Sequence, residues 1–219
     1  EHQLDANLAS VFSALLPGRL TEKDDYYFDV IKEGKPGTIM PPWKTQLSDA
    51  EITSLVAFIR SEAAASASEW TEKDIWGSLT VITAEDKLPN EPVKPMNLDN
   101  LLLVTERENQ GIAVINGDTH ELLGTIPASY RAHGYSFHPT QERWAYNMGR
   151  DGWVFKIDLF SLKPVLKIRI GLDARSVAIS DDGKYLIAGN YMPATLVILN
   201  AETLELVKYY STRAADNEG

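Results

Sequence analysis

The feature that most limits what this chain can fold into is a repeat in its second half. Ile115-Asn116, Ile157-Asp158 and Leu199-Asn200 each end an apolar run and open a polar turn, at a constant spacing of 42 residues. Short apolar runs flank them, and strands are expected over 101–105, 111–115, 122–126, 144–148, 153–157, 165–170, 176–179, 185–188, 196–199 and 206–210. Turn pairs such as Asp151-Gly152 and Asp182-Gly183 separate them. A period of this length holding about four short strands is the signature of propeller blades. Such a unit cannot bury both faces alone and must stack on its neighbours. Closing a ring takes about four to eight blades. The chain holds roughly three, so the remaining blades are expected from missing or separate polypeptide.

The first 65 or so residues read differently. Thr21 can cap a short helix, Asp24 and Asp25 suit its first turn, and Gly34 can end it. Ser48-Asp49-Ala50-Glu51 is a capping box, and Ile52, Leu55, Val56 and Ile59 follow on one helical face. Between the two helices, Gly34 to Trp43 carries two glycines and three prolines, a stiff extended loop. Ala63 to Ser68 is small and polar, and Pro89, Pro92 and Pro95 mark a second irregular stretch. Residues 66–97 are therefore expected to link a helical domain over 1–65 to strands over 98–219.

Composition removes several functions. A net charge of -10 argues against nucleic acid, whose phosphates need clustered Lys and Arg. An acidic surface suits a basic partner protein instead. With no cysteine there is no disulfide, no thiolate metal site and no Cys-x-x-Cys-His for covalent haem within this stretch. No apolar run nears the ~18 residues of a membrane span. The opening Glu1-His2-Gln3 looks processed or cut. No phosphate loop, His-rich motif or Ser/His/Asp order is present.

Four places can carry chemistry. Met40, in the Pro-rich loop, is either a packing residue or a soft ligand suited to haem iron. His133, in Tyr130-Arg131-Ala132-His133-Gly134-Tyr135, stands at the turn into a blade, as a structural residue or a metal ligand near the central channel. His138, before Pro139, reads as a solvated turn residue. Arg150 and Arg175 lie at loop–strand junctions. They can hold a cofactor's carboxylates in bidentate fashion, or make ordinary ion pairs, for Arg150 with Asp151 or Asp158.

Two sets of motifs resemble known families. Gly37-Thr38-Ile39-Met40-Pro41-Pro42-Trp43, with Leu47 to Ile52 and Leu55 to Ile59 after it, resembles the C-terminal half of a class I cytochrome c domain. That resemblance implies an all-α domain, haem c (its attachment motif not in this chain) and Met40 on the c-haem iron. From about Asn100 to Arg213 the chain resembles the start of the all-β, eight-bladed haem d1 propeller of cytochrome cd1. The match lies in Arg131-Ala132-His133-Gly134, Gly149 to Leu159, Gly171 to Ser176 and Ala188 to Pro193. It implies haem d1 or dihydro-haem d1, with His133 on the d1-haem iron and Arg150, Arg175 and Tyr191 around the macrocycle and its carboxylates. The short turn Ser180-Asp181-Asp182-Gly183 resembles most the NirN-type branch, oxidoreductases that convert dihydro-haem d1 to haem d1. The nitrite reductase branch, and a non-catalytic propeller that only presents its rim to a partner, are the alternatives. The family further implies a periplasmic location and an electron-transfer partner protein.

Overall fold

A computed structural model describes residues 21–38, 40–61, 69–106 and 109–212. They fall into two compact units, divided between Glu69 and Trp70.

In the first unit, α1 (Asp24–Glu33) packs on α2 (Asp49–Ile59). Tyr27, Ile31, Ile52, Val56 and Ile59 are buried between them. Ser48 and Glu51 close the expected capping box at α2. At α1, Lys23 rather than Thr21 holds the cap position, without a side-chain bond, and Gly34 ends the helix with φ 75°. The expectation of an all-α cytochrome c-type domain is corrected here. The described structure is mostly β, three sheets with few helices, and no all-α cytochrome c domain is evident in it. The apolar spacing of one helix reports its inward face, not how many layers pack around it, so a helical pair and a whole helical domain look alike at that level. Among the described residues, no helix is long and apolar enough to cross a membrane.

The second unit opens with α3 (Glu72–Ser78), capped by a Thr71/Asp74 box, and the two-residue strand β1 (Thr80–Val81). Three antiparallel sheets follow. The first is β2 (Leu101–Glu106), β3 (Gly111–Asn116) and β4 (Leu122–Pro127). The second is β5 (Ala132–Phe137), β6 (Trp144–Gly149), β7 (Trp153–Asp158) and β8 (Lys163–Arg169), with β1 added outside β8. The third is β9 (Asp173–Ile179), β10 (Tyr185–Met192), β11 (Thr195–Asn200) and β12 (Leu206–Ser211).

The repeat has a physical cause at atomic detail. Asn116 Oδ1 accepts from the N–H of Asp118 and Thr119, and Asn200 Oδ1 from those of Glu202 and Thr203. Asp158 caps Phe160 and Ser161 in the same way. Each is an Asx turn, which a short polar side chain makes by bonding its own backbone. Four residues further on, His120, Leu162 and Leu204 each take a left-handed φ of 55–62°. The strand leading into each turn carries an irregularity at 114/115, 156/157 and 198/199. The turn, the left-handed residue and the kink thus all recur every 42 residues.

The sheets stack face to face. Ile112, Val114, Leu123 and Ile126 of the first sheet meet Ala145 and Ile157 of the second. Tyr146, Met148, Val154 and Ile168 on the other face of the second sheet meet Ala174, Val177, Leu186 and Val197 of the third. The middle sheet is covered on both sides, so β6 is buried almost throughout instead of alternating. The outer faces of the flanking sheets do alternate and show Leu102, Val104, Ile187 and Tyr210. β5 lies along β9, while α3 packs against β8 and β12 and places Ile75 in the core. The two sheets therefore meet closely at their first strands and splay outward, with a helix in the wedge. That is the arrangement of propeller blades. Among the described residues the first sheet has no strand equivalent to β5 and β9, and β2 is its edge.

Candidate functional site

The candidate site lies at the end of the blades where β5 and β9 begin and β6 and β10 finish. Backbone bonds stitch this rim together. Arg150 N donates to Tyr130 O (3.0 Å), Ala174 N to Arg150 O (3.2 Å) and Leu172 N to Met192 O (2.7 Å). The Gly149–Gly152 turn is tight. A Cβ on Gly149 would collide with Ser129, and one on Gly152, at φ 81°, would lie 2.0 Å from Gly171 O. Asp151 is buried beneath the turn, where its carboxylate accepts from Tyr130 N (3.1 Å) and Trp153 N (3.4 Å). Burial pushes its carboxyl up from the ordinary range, against the pull of those N–H groups and of Arg169. Arg169 in turn donates to Asp151 O and lies over the Trp70 ring.

On this frame His133 is exposed at the start of β5, and Arg175 is exposed at the start of β9. They stand 42 residues apart, at matching places in successive repeats. Arg150 lies within the stitched turn. Its guanidinium pairs with Asp173 at 3.0 and 3.2 Å, and lies 5.6 Å from the centre of the Tyr191 ring. Tyr191 is 57% exposed. The structure thus brings Arg150 and Tyr191 into contact and sets His133 and Arg175 on the same rim. The partner of Arg150 is Asp173, not Asp151 or Asp158. Asp158 pairs with Arg143 at 2.6 Å, at the opposite end of the strands.

Met40 belongs to the other unit. It is half-buried against the helical core there, and its N–H donates to Thr38 Oγ1. His138 is not a free turn residue: its Nδ1 accepts from Thr140 N and Gln141 N, and its ring lies under Gly183. Sequence reasoning missed Asp173 as the partner of Arg150, although it stands two residues before Arg175 in a motif already singled out. It named Asp151 as an ion-pair candidate, whereas the structure makes it the buried anchor of the turn.

Two glycines of the rim leave it uncrowded. A Cβ built on Gly134, beside His133, or on Gly189, which pairs with Ser176 beside Arg175, meets no atom within 4 Å. An imidazole, two guanidinium groups and an exposed phenol lie on this rim. This donor set fits a planar iron macrocycle with carboxylates: nitrogen for the metal, forked donors for the acids, and an aromatic face for the ring.

Fold and rim together define a segment of a β-propeller with a basic and aromatic rim, and comparison with known proteins gives its family. Residues 96–219, more than half of the chain, match the model of the family described as Cytochrome D1 heme domain. The chain belongs to that family. It is 35% identical over 206 residues to the dihydro-heme d1 dehydrogenase of Pseudomonas aeruginosa, spanning 94% of this chain and 41% of that protein. It is 34% identical to the nitrite reductase of Stutzerimonas stutzeri over 157 residues, 69% of this chain and 28% of that one. A solved structure of dihydro-heme d1 dehydrogenase NirN in complex with DHE superposes with a TM-score of 0.68, covering 94% of this chain and 44% of that chain. The chain thus spans less than half the length of the relatives it matches.

Proposed function

We propose that this chain contributes the first blades of an oxidoreductase that acts on a d1-type tetrapyrrole, in the manner of a dihydro-haem d1 dehydrogenase. The observation that carries the reading is the rim itself. His133 and Arg175 stand one repeat apart, exposed at the start of successive blades, with Arg150 and Tyr191 in contact on the same rim. The similarity to a dehydrogenase over nearly the whole chain supports this branch over nitrite reduction. When bound, the tetrapyrrole supplies the redox chemistry: its dihydro form gives up two electrons and two protons as a side-chain double bond forms, the electrons passing to a partner protein.

The chain's own residues bind and orient. His133 presents a ring nitrogen to the iron. Arg175, exposed and without an ion-pair partner among the described residues, meets a carboxylate with its full charge. Arg150 is already neutralised by Asp173, so it offers a fixed plane and N–H groups more than net charge. Tyr191 lies against that plane and flanks the macrocycle. A periplasmic location is part of the same proposal and rests on the family resemblance alone.

A visible titration of the full chain with haem d1 tests the reading. A shifted band that His133→Ala abolishes is expected; binding indifferent to that substitution refutes the ligand assignment. Dihydro-haem d1 with an electron acceptor, and nitrite with a donor, are then supplied separately. Nitric oxide release at useful turnover rejects the dehydrogenase choice.

A further inference from the structure

β5 is not a regular strand. Opposite β6, His133 pairs with Met148 and Tyr135 with Asn147, so Gly134 is an extra residue in the ladder. It takes φ 73°, a conformation that L side chains seldom adopt. A bulge of this kind breaks the two-residue alternation and re-aims the side chain next to it. Tyr135 turns into the core and bonds Thr105 at 2.5 Å, while His133 stays on the open side.

One buried side chain holds the bulge. Asn147 is fully buried, and its Nδ2 donates to Gly134 O at 2.9 Å. The amide orientation is forced, because the reverse would set two carbonyl oxygens against each other. Asn147 Oδ1 is then left buried with no hydrogen-bond partner among the described residues. An apolar side chain of the same size would fill the space but leave the Gly134 carbonyl without this donor, so the bond to the bulge is what the asparagine supplies here. A second buried asparagine, Asn190, is used differently: its Nδ2 donates to Ile170 O and to Thr195 Oγ1, so it pins no bulge carbonyl.

We infer that Asn147 is a positioning residue for His133: its amide pins the Gly134 carbonyl and thereby sets the direction of the imidazole toward a tetrapyrrole iron. The inference rests on the proposed binding of that group at the rim. Asn147 touches no ligand and acts only through the backbone of the bulge.

The test is a visible titration of the full chain with haem d1, comparing Asn147→Ala, Gly134→Ala, His133→Ala and the pair Asn147→Ala/His133→Ala. Asn147→Ala should weaken binding at least tenfold and change the axial-ligand band. Gly134→Ala should do the same from the other side of the bond, since its new Cβ meets no atom and acts only on the backbone. In the His133→Ala background, Asn147→Ala should cause no further loss, because the interaction it serves is already gone. An unchanged band and affinity in Asn147→Ala, or a loss that simply adds to that of His133→Ala, overturns the inference. If Asn147→Ala does not fold, Gly134→Ala decides by the same criteria. A wild-type chain that binds nothing, or binds regardless of His133, defeats instead the reading of the site.

Discussion

Asp158 offers the sharpest test of the idea that each blade is built around an Asx turn. Its carboxylate is wholly buried and holds four groups: Arg143 through Nε at 2.6 Å, the N–H groups of Phe160 and Ser161, and the Ser161 hydroxyl at 2.5 Å. Asn116 and Asn200 do the same turn-capping in the neighbouring repeats without a charge. Asp158→Asn should therefore keep an acceptor for the turn and lose the attraction to Arg143. Breaking a buried pair by removing one charge costs about 3–5 kcal/mol, but Arg143 keeps 23% of its side chain exposed and can turn to water, so a cost of about 1–2 kcal/mol is expected. Asp158→Ala removes the turn acceptor as well. Orphaned buried donors cost about 1–3 kcal/mol each, which brings the expected loss to about 3–5 kcal/mol. Urea unfolding of the full chain followed by Trp fluorescence measures both, with unchanged m-values as the sign that only stability moved. Equal losses in the two variants would refute the reasoning, since they would show that the carboxylate serves Arg143 alone and not the turn.

Two further outcomes follow from single positions. Gly152→Ala should destabilise by about 2–4 kcal/mol, a left-handed penalty plus overpacking against Gly171 O, and should loosen the turn that carries Arg150; thermal melts check it, and a loss below 1 kcal/mol would show that the rim is soft. Asp182 has its carboxyl lowered to about 2, first by the Ser180 hydroxyl and then by the Lys184 N–H and ammonium. Its folded value lies below the unfolded one, so its stabilisation is present above about pH 4 and fades as pH falls toward 2; carboxyl NMR titration should find that midpoint, and one near 4 would mean the turn bonds are not made in solution.

The legibility of the chain varied with the range of the forces involved. The strands of the repeat were readable because apolar runs between turn residues are a local pattern. β5 was not, since Gly134 interrupts the alternation and the strand is defined only by its pairing with β6. α3 had a legible signal in Thr71-Glu72-Lys73-Asp74. It was lost in a stretch that reads as linker, because seven residues are too few for helical periodicity to show. His133, Arg150 and Arg175 were legible as candidates from their turn and loop–strand positions, while Tyr191 and a shared role for the four came from motif resemblance. That Arg150 is spent on Asp173 while Arg175 is not came from packing.

By itself, then, the sequence determined the blade: a period of 42 residues, a capped polar turn in each, and apolar runs to lie between stacked sheets. These depend on contacts within a few residues, or on composition along one strand. Only the tertiary structure decided which helices form no larger helical domain, which sheet is covered on both faces, and which carboxylate neutralises which arginine. Those outcomes depend on what meets across sheets tens of residues apart, where burial and pairing are settled by three-dimensional neighbours that no local pattern names.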